Sequence, residues 1–156
     1  MSWKPDPMSV ATDAFAQNWD KMFPYAFPPF CLVGRTLRKA QKHHIQMIIV
    51  TPVWITQPWY PLLLEMSVRD PLLLPNHKYL LKNLRENIHP LIENNSLRLA
   101  AWLVSGNQGE QQQYLQRLPL LSKTPKQWVL ERITDRPGDS LIAGVCQGRL
   151  IQLHAI

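Results

Sequence analysis

Apolar residues gather along the chain in short blocks separated by prolines and polar stretches. Two blocks set its centre: Pro24-Tyr25-Ala26-Phe27-Pro28-Pro29-Phe30 and Met47-Ile48-Ile49-Val50-Thr51-Pro52-Val53-Trp54. Tyr25-Ala26-Phe27 predicts a short buried strand. Pro28 and Pro29 must end it, because neither donates a ladder hydrogen bond and Pro29 holds Pro28 extended. Over residues 30–42, Phe30, Val33, Leu37 and Ala40 recur at helical spacing, while Arg35, Arg38, Lys39 and Lys42 fall mostly on the other side. Met47-Ile48-Ile49-Val50 is a second buried strand. Strand, Pro-Pro turn, amphipathic helix and strand make one βαβ unit with parallel strands and a right-handed crossover. Ligands in such sheets sit at the C-terminal strand ends, which is where Pro28, Pro29 and Phe30 lie.

The remaining pattern adds elements around this unit. Asp13 can cap a short helical turn that packs Ala14, Phe15 and Trp19 inward, or the stretch can be a connecting loop. After Trp54 a helix is expected with Thr56 or Gln57 as cap, Pro58 in first position, and a buried stripe of Trp59, Leu63 and Met66. Leu72-Leu73-Leu74 predicts a short buried strand. Residues 76–82 suggest a brief helix, 83–90 a polar loop, and 97–104 a strand ended by Ser105-Gly106-Asn107. The fold class expected is α/β: three layers, with a small, mainly parallel sheet of strands near Tyr25 and over 47–50, 72–74 and 97–104. Residues 1–106 form that domain and 107–156 an appendage: a polar surface helix over 109–118, a turn over 136–140 and an apolar tail over 141–156.

Composition narrows the class. Of 156 residues, 46% are hydrophobic and only 18% charged, which argues against disorder, while 14 prolines against 6 glycines demand short, interrupted elements. No apolar run approaches the roughly 18 residues of a membrane span, and the first seven residues lack a signal-peptide core, so a soluble, intracellular and non-secreted chain is expected, in cytoplasm or nucleus, with no membrane partner. Cys31 and Cys146 are isolated and read as buried thiols; His43, His44, His77 and His89 share no ligand spacing, and no metal site is expected. No glycine precedes Gly34 and none lies between Gly34 and Gly106, which disfavours a phosphate-binding loop; Gly144-Val145-Cys146-Gln147-Gly148 has no strand-to-helix context for one. The net charge of +6 permits nucleic-acid contact. Arg35, Arg38, Lys39, Lys42, His43 and His44 form either a solvated helix face or a phosphate-contacting stripe, and Trp54, Trp59 and Tyr60 either core or a base-stacking platform.

Asp13-Ala14-Phe15-Ala16-Gln17-Asn18-Trp19, Tyr25-Ala26-Phe27-Pro28-Pro29-Phe30, Pro52-Val53-Trp54 and Gln57-Pro58-Trp59-Tyr60 together resemble the segment after ribonuclease H in polyproteins of DIRS-type tyrosine-recombinase retrotransposons. The resemblance covers residues 3–106. That segment is in turn similar to the second half of Dam-like DNA adenine-N6 methyltransferases, in which an Asp-Ala-Leu-x-x-x-Trp stretch precedes a strand ending in Asn/Asp-Pro-Pro-Tyr. The resemblance implies a partial Rossmann-like, methyltransferase-like fold. It also implies a catalytic position at Phe27, Pro28, Pro29 and Phe30. There the family's acidic or amide side chain accepts hydrogens from the target amine while its aromatic ring stacks on a flipped base. Pro28 and Pro29 match and Phe30 can stack, but Phe27 stands where the acceptor belongs, and a phenyl ring accepts no such hydrogen bond. The family's S-adenosylmethionine site is built mainly upstream of the Asp13 position, where this sequence has twelve residues, so its cofactor-binding residues are not identified.

Two functions are therefore carried forward. In the first, the chain is a retroelement-derived fragment with a methyltransferase-like fold, no catalysis and no cofactor. It retains at most a weak hold on DNA or RNA, through Phe30, Arg35, Arg38, Lys39, Lys42 and Trp54, or contacts to other retroelement polyprotein segments. In the second, it is an active DNA adenine-N6 methyltransferase whose S-adenosylmethionine site is completed by another segment.

Overall fold

The computed structural model of the protein describes residues 13–75, 97–120 and 141–156. In chain order the elements are β1 (Tyr25–Ala26), a single 3-10 turn (Phe30–Leu32), α1 (Val33–Lys42), β2 (Gln46–Pro52), α2 (Tyr60–Met66) and β3 (Leu72–Leu73). They continue with β4 (Leu99–Ser105), α3 (Gln108–Arg117), β5 (Leu141–Cys146) and β6 (Arg149–Ala155). The six strands form one mixed sheet in the order β1-β2-β4-β3-β6-β5. The protein is of the α/β class.

The central pair follows from composition. β2 and β4 are apolar on both faces, as strands covered on both sides must be, and they pair antiparallel from Gln46↔Ser105 to Pro52↔Leu99. On one face Met47, Ile49, Ala100, Trp102 and Val104 meet the buried stripes of all three described helices: Val33, Leu37 and Ala40 from α1, Leu63 and Met66 from α2, and Tyr114 and Leu115 from α3. On the other, Val50, Leu97 and Leu99 form a smaller cluster with Phe30, Trp54 and Leu74. Because the described helices share one face, they do not produce the three layers expected.

The mainly parallel sheet is also corrected. β1 and β2 are parallel, as expected, and β3 and β6 are parallel, but β2–β4, β3–β4 and β5–β6 are antiparallel. Strand direction depends on the connection between strands, which the apolar pattern of β4 does not reveal. β1 is no buried strand: it ends the sheet, it is two residues long, and Tyr25 is 68% exposed. Pro24 and Pro28 bracket it and restrict its ladder to Ile48 and Ile49. β3 is likewise short, with Leu72 exposed.

α2 begins later than expected. Tyr60 N–H donates to the Gln57 carbonyl at 2.9 Å, closing a turn that takes up Pro58 ahead of the helix, while Pro61 lies in the first helical turn, as the sequence also requires. α3 starts at Asn107, whose Oδ1 accepts from Gly109 N–H at 2.9 Å.

The described residues beyond 106 pack into the same core. α3 packs into the main core, and the tail over 141–156 is the β5–β6 hairpin, turning at Gln147 (φ 49°) and Gly148 (φ 72°). Two successive positive φ values suit the right-handed twist of the flanking strands. The hairpin extends the sheet because β6 pairs with β3, Leu72↔His154. The expected elements over 76–82, 83–90 and 136–140, with His77 and His89, lie outside the described residues. Among the described residues no helix is long and apolar enough to cross a membrane.

Candidate nucleic-acid interface

The Pro-Pro turn joins β1 to α1. Pro29 is extended (φ −49°, ψ 141°), and its carbonyl accepts from Leu32 N–H at 2.8 Å to start the 3-10 turn. This bend carries Phe30 over the end of β1 while the chain leaving β2 after Pro52 brings Trp54 to the same place. The two rings meet edge to face, centroids 4.9 Å apart at 76°. Both are half-buried, packed against Val50, Leu97 and Leu99. Phe27, Pro28 and Pro29 immediately precede Phe30 in the chain, with Phe27 39% exposed.

The aromatic platform inferred from Trp54, Trp59 and Tyr60 divides. Trp59 and Tyr60 are core, and Tyr60 packs edge to face on Trp102 at 5.8 Å while its hydroxyl donates to the Ala143 carbonyl at 2.9 Å. Burial pushes the Tyr60 hydroxyl pKa up to about 12, so it stays a neutral donor. Only Trp54 of the three remains at the strand ends.

The basic stripe divides as well. Lys39 Nζ donates to the carbonyls of Phe15 and Gln17 at 2.8 and 2.7 Å and lies 5.2 Å from the Trp19 ring centroid. The Arg35 guanidinium sits 4.1 Å over the Phe15 ring. One turn on, His43 Nδ1 lies 2.6 Å from Asp20 Oδ1, and hydrogen bonds from His43 and Asn18 hold the Asp20 carboxyl below the usual range. Residues 35, 39 and 43 thus form a helix face that clamps the 13–20 segment, whose turn Asp13 caps by accepting from Phe15 N–H at 3.0 Å. Arg38 and Lys42, one turn apart, stay exposed and are the cations of the stripe without a protein partner among the described residues.

Two further groupings have no signature in the sequence. Tyr114 donates to Asp70 Oδ1, and Asp70 Oδ2 lies 3.1 Å from His154 Nε2, tying α3, the α2–β3 connection and β6 together. Burial first, then the Asp70 contact, raises the Tyr114 pKa. The second grouping is a cleft between α2 and β5 that contains Glu65 and Cys146. Both arise from the pairing of β3 with the hairpin, which is far from them in sequence. Cys31 is exposed rather than buried, Cys146 is half-buried, and both are free thiols. No group of three His, Cys, Asp or Glu side chains suited to a metal ion occurs among the described residues.

Comparison of the chain with protein-family models, with curated proteins and with solved structures found no match.

Proposed function

We propose that the chain is a retroelement-derived domain of partial Rossmann-like, methyltransferase-like fold that does not transfer methyl groups, and that it holds single-stranded or flipped bases weakly at its Phe30–Trp54 edge. The edge-to-face contact of Phe30 and Trp54 beside the Pro-Pro turn carries this reading. It offers aromatic surface where parallel strands end, the position at which such sheets take ligands. The parallel β1–α1–β2 unit with Pro28-Pro29 at its joint supports the methyltransferase-like fold. Phe27 supports the loss of catalysis, since it stands at the acceptor position and has no lone pair to receive the amine hydrogens. Arg38 and Lys42 supply the phosphate contacts; Arg35 and Lys39, engaged with the 13–20 segment, contribute through local potential alone.

Single-stranded oligonucleotide affinity at two salt concentrations tests the binding. With two phosphate contacts, log K falls against log salt with a slope of about −1.4. Phe30→Leu, which keeps apolar packing but removes the ring, weakens binding by about 1–3 kcal/mol. A double Arg38→Ala/Lys42→Ala variant flattens the salt slope. Absence of binding at low salt, or an unchanged slope in the double variant, overturns the proposal.

A separate assay addresses catalysis. The purified chain incubated with DNA and labelled S-adenosylmethionine is expected to leave adenine unmethylated. Incorporation of label by the parent chain would establish instead a working methyltransferase.

A further inference from the structure

On the far side of the sheet from Phe30 and Trp54 in strand order, β5 is the outermost described strand, and α2 packs beside it. Between them is an open cleft of about 610 Å³. That volume lies within the range of small-molecule sites, roughly 300–1,000 Å³. Its walls are mainly apolar: Tyr60 and Leu64 come from α2, Ala143 and Val145 from β5, with Ile55 also in the lining and Gln147 as an exposed neutral polar side chain at the hairpin turn. Ile55 and Val145 are 68% and 49% exposed, so apolar surface at the entrance faces solvent.

The polar groups in the lining have unequal freedom. The Tyr60 hydroxyl is already donated to the Ala143 carbonyl and stays protonated. Burial, and then the nearby Glu65 charge, push the Cys146 thiol pKa up, so it too is neutral. Glu65 is the one acidic side chain in the lining, exposed beside the apolar walls. An occupant matched to this lining has an apolar body and one positive charge.

Strand addition by an extended peptide fits less well. β5 carries a bulge between Ile142 and Gly144, and the carbonyl of the bulged Ala143 is occupied by Tyr60, which interrupts the row of groups that an added strand must pair. We propose that the cleft between α2 and β5 binds a small apolar molecule bearing one cationic group, with Glu65 as its counter-charge. This site is independent of the nucleic-acid edge.

Amide NMR shifts of the full chain, titrated with 4-phenylbutylamine and in parallel with 4-phenylbutanol, test the proposal. Saturable shifts centred on residues 55–65 and 142–147 are expected, with the amine favoured about fivefold, the upper end for an exposed ion pair. Glu65→Gln should remove the preference and leave alcohol affinity unchanged. Equal affinity for the two compounds, a preference that survives Glu65→Gln, shifts centred elsewhere, or no saturable binding would each overturn it.

Discussion

Gly106→Ala is expected to destabilise the protein by about 3 kcal/mol, at the upper end for an added methylene in a packed site. Gly106 follows β4 and precedes the Asn107 cap of α3, where the chain passes against the end of α1. A Cβ there would lie 2.4 Å from the Ala40 carbonyl oxygen and 2.9 Å from the Cα atoms of Gln41 and His44. All three are backbone atoms, so no side-chain rotation relieves the clash. The strand also cannot slide away, because Gly106 N–H donates to the Ile45 carbonyl at 2.9 Å and Gly106 is flanked by the β2–β4 ladder. Gly34→Ala supplies the opposite sign. Gly34 lies in α1, its added Cβ would make an ordinary 3.4 Å contact with Trp59 Cβ, and replacing glycine in a helix gains about 0.5–1 kcal/mol. Urea melts of the two variants should therefore move to opposite sides of the parent. If Gly106→Ala melts with or above the parent, the close approach of β4 to α1 is wrong.

The helix face of α1 was readable because Val33, Leu37 and Ala40 obey a local period, and all three are fully buried. β2 and β4 were readable for the same reason: runs such as Met47-Ile48-Ile49-Val50 have no polar face to present to water. The meeting of Phe30 and Trp54 followed from the expected parallel pairing of two strands joined by one helix. What escaped was set by distant partners. Lys39 looked like a free cation, yet its ammonium is bound by carbonyls 24 and 22 residues away, and nothing in the pattern of residues 30–42 announces them. Tyr25-Ala26-Phe27 predicts a buried strand from its apolar residues alone, whereas β1 has a neighbour on one side only, which leaves Tyr25 and Phe27 exposed. The β5–β6 hairpin did carry a local signal, Gly148 between two apolar runs, but Gln147 in place of the usual Asn or Asp obscured it. The Glu65 cleft and the Asp70 bridge had none, since each depends on how the hairpin docks.

Trp102→Ala should have the largest effect of any single truncation, about 3–5 kcal/mol. Trp102 is 1% exposed at the centre of the β2–β4 pair, opposite Ile49, and its ring abuts Tyr60 edge to face. Truncation would leave a cavity under all three described helices, and the strands around it are too tightly paired to collapse. The indole also carries a liability. Trp102 Nε1 is buried with no hydrogen-bond partner among the described residues, as is Thr51 Oγ1, which faces the same core one diagonal step away on β2. An unsatisfied buried donor costs about 1–3 kcal/mol. Trp102→Phe therefore loses ring volume but relieves that penalty, and its net cost should be about 1 kcal/mol, well short of the alanine variant. Thr51→Val, which exchanges a hydroxyl without a partner for a methyl of similar shape, should be neutral or stabilising by up to about 1 kcal/mol. Thermal melts of the three variants read both effects together. If Trp102→Phe costs as much as Trp102→Ala while Thr51→Val also destabilises, the indole N–H and the hydroxyl are satisfied polar groups, and the packing at the centre of this sheet differs from the arrangement described.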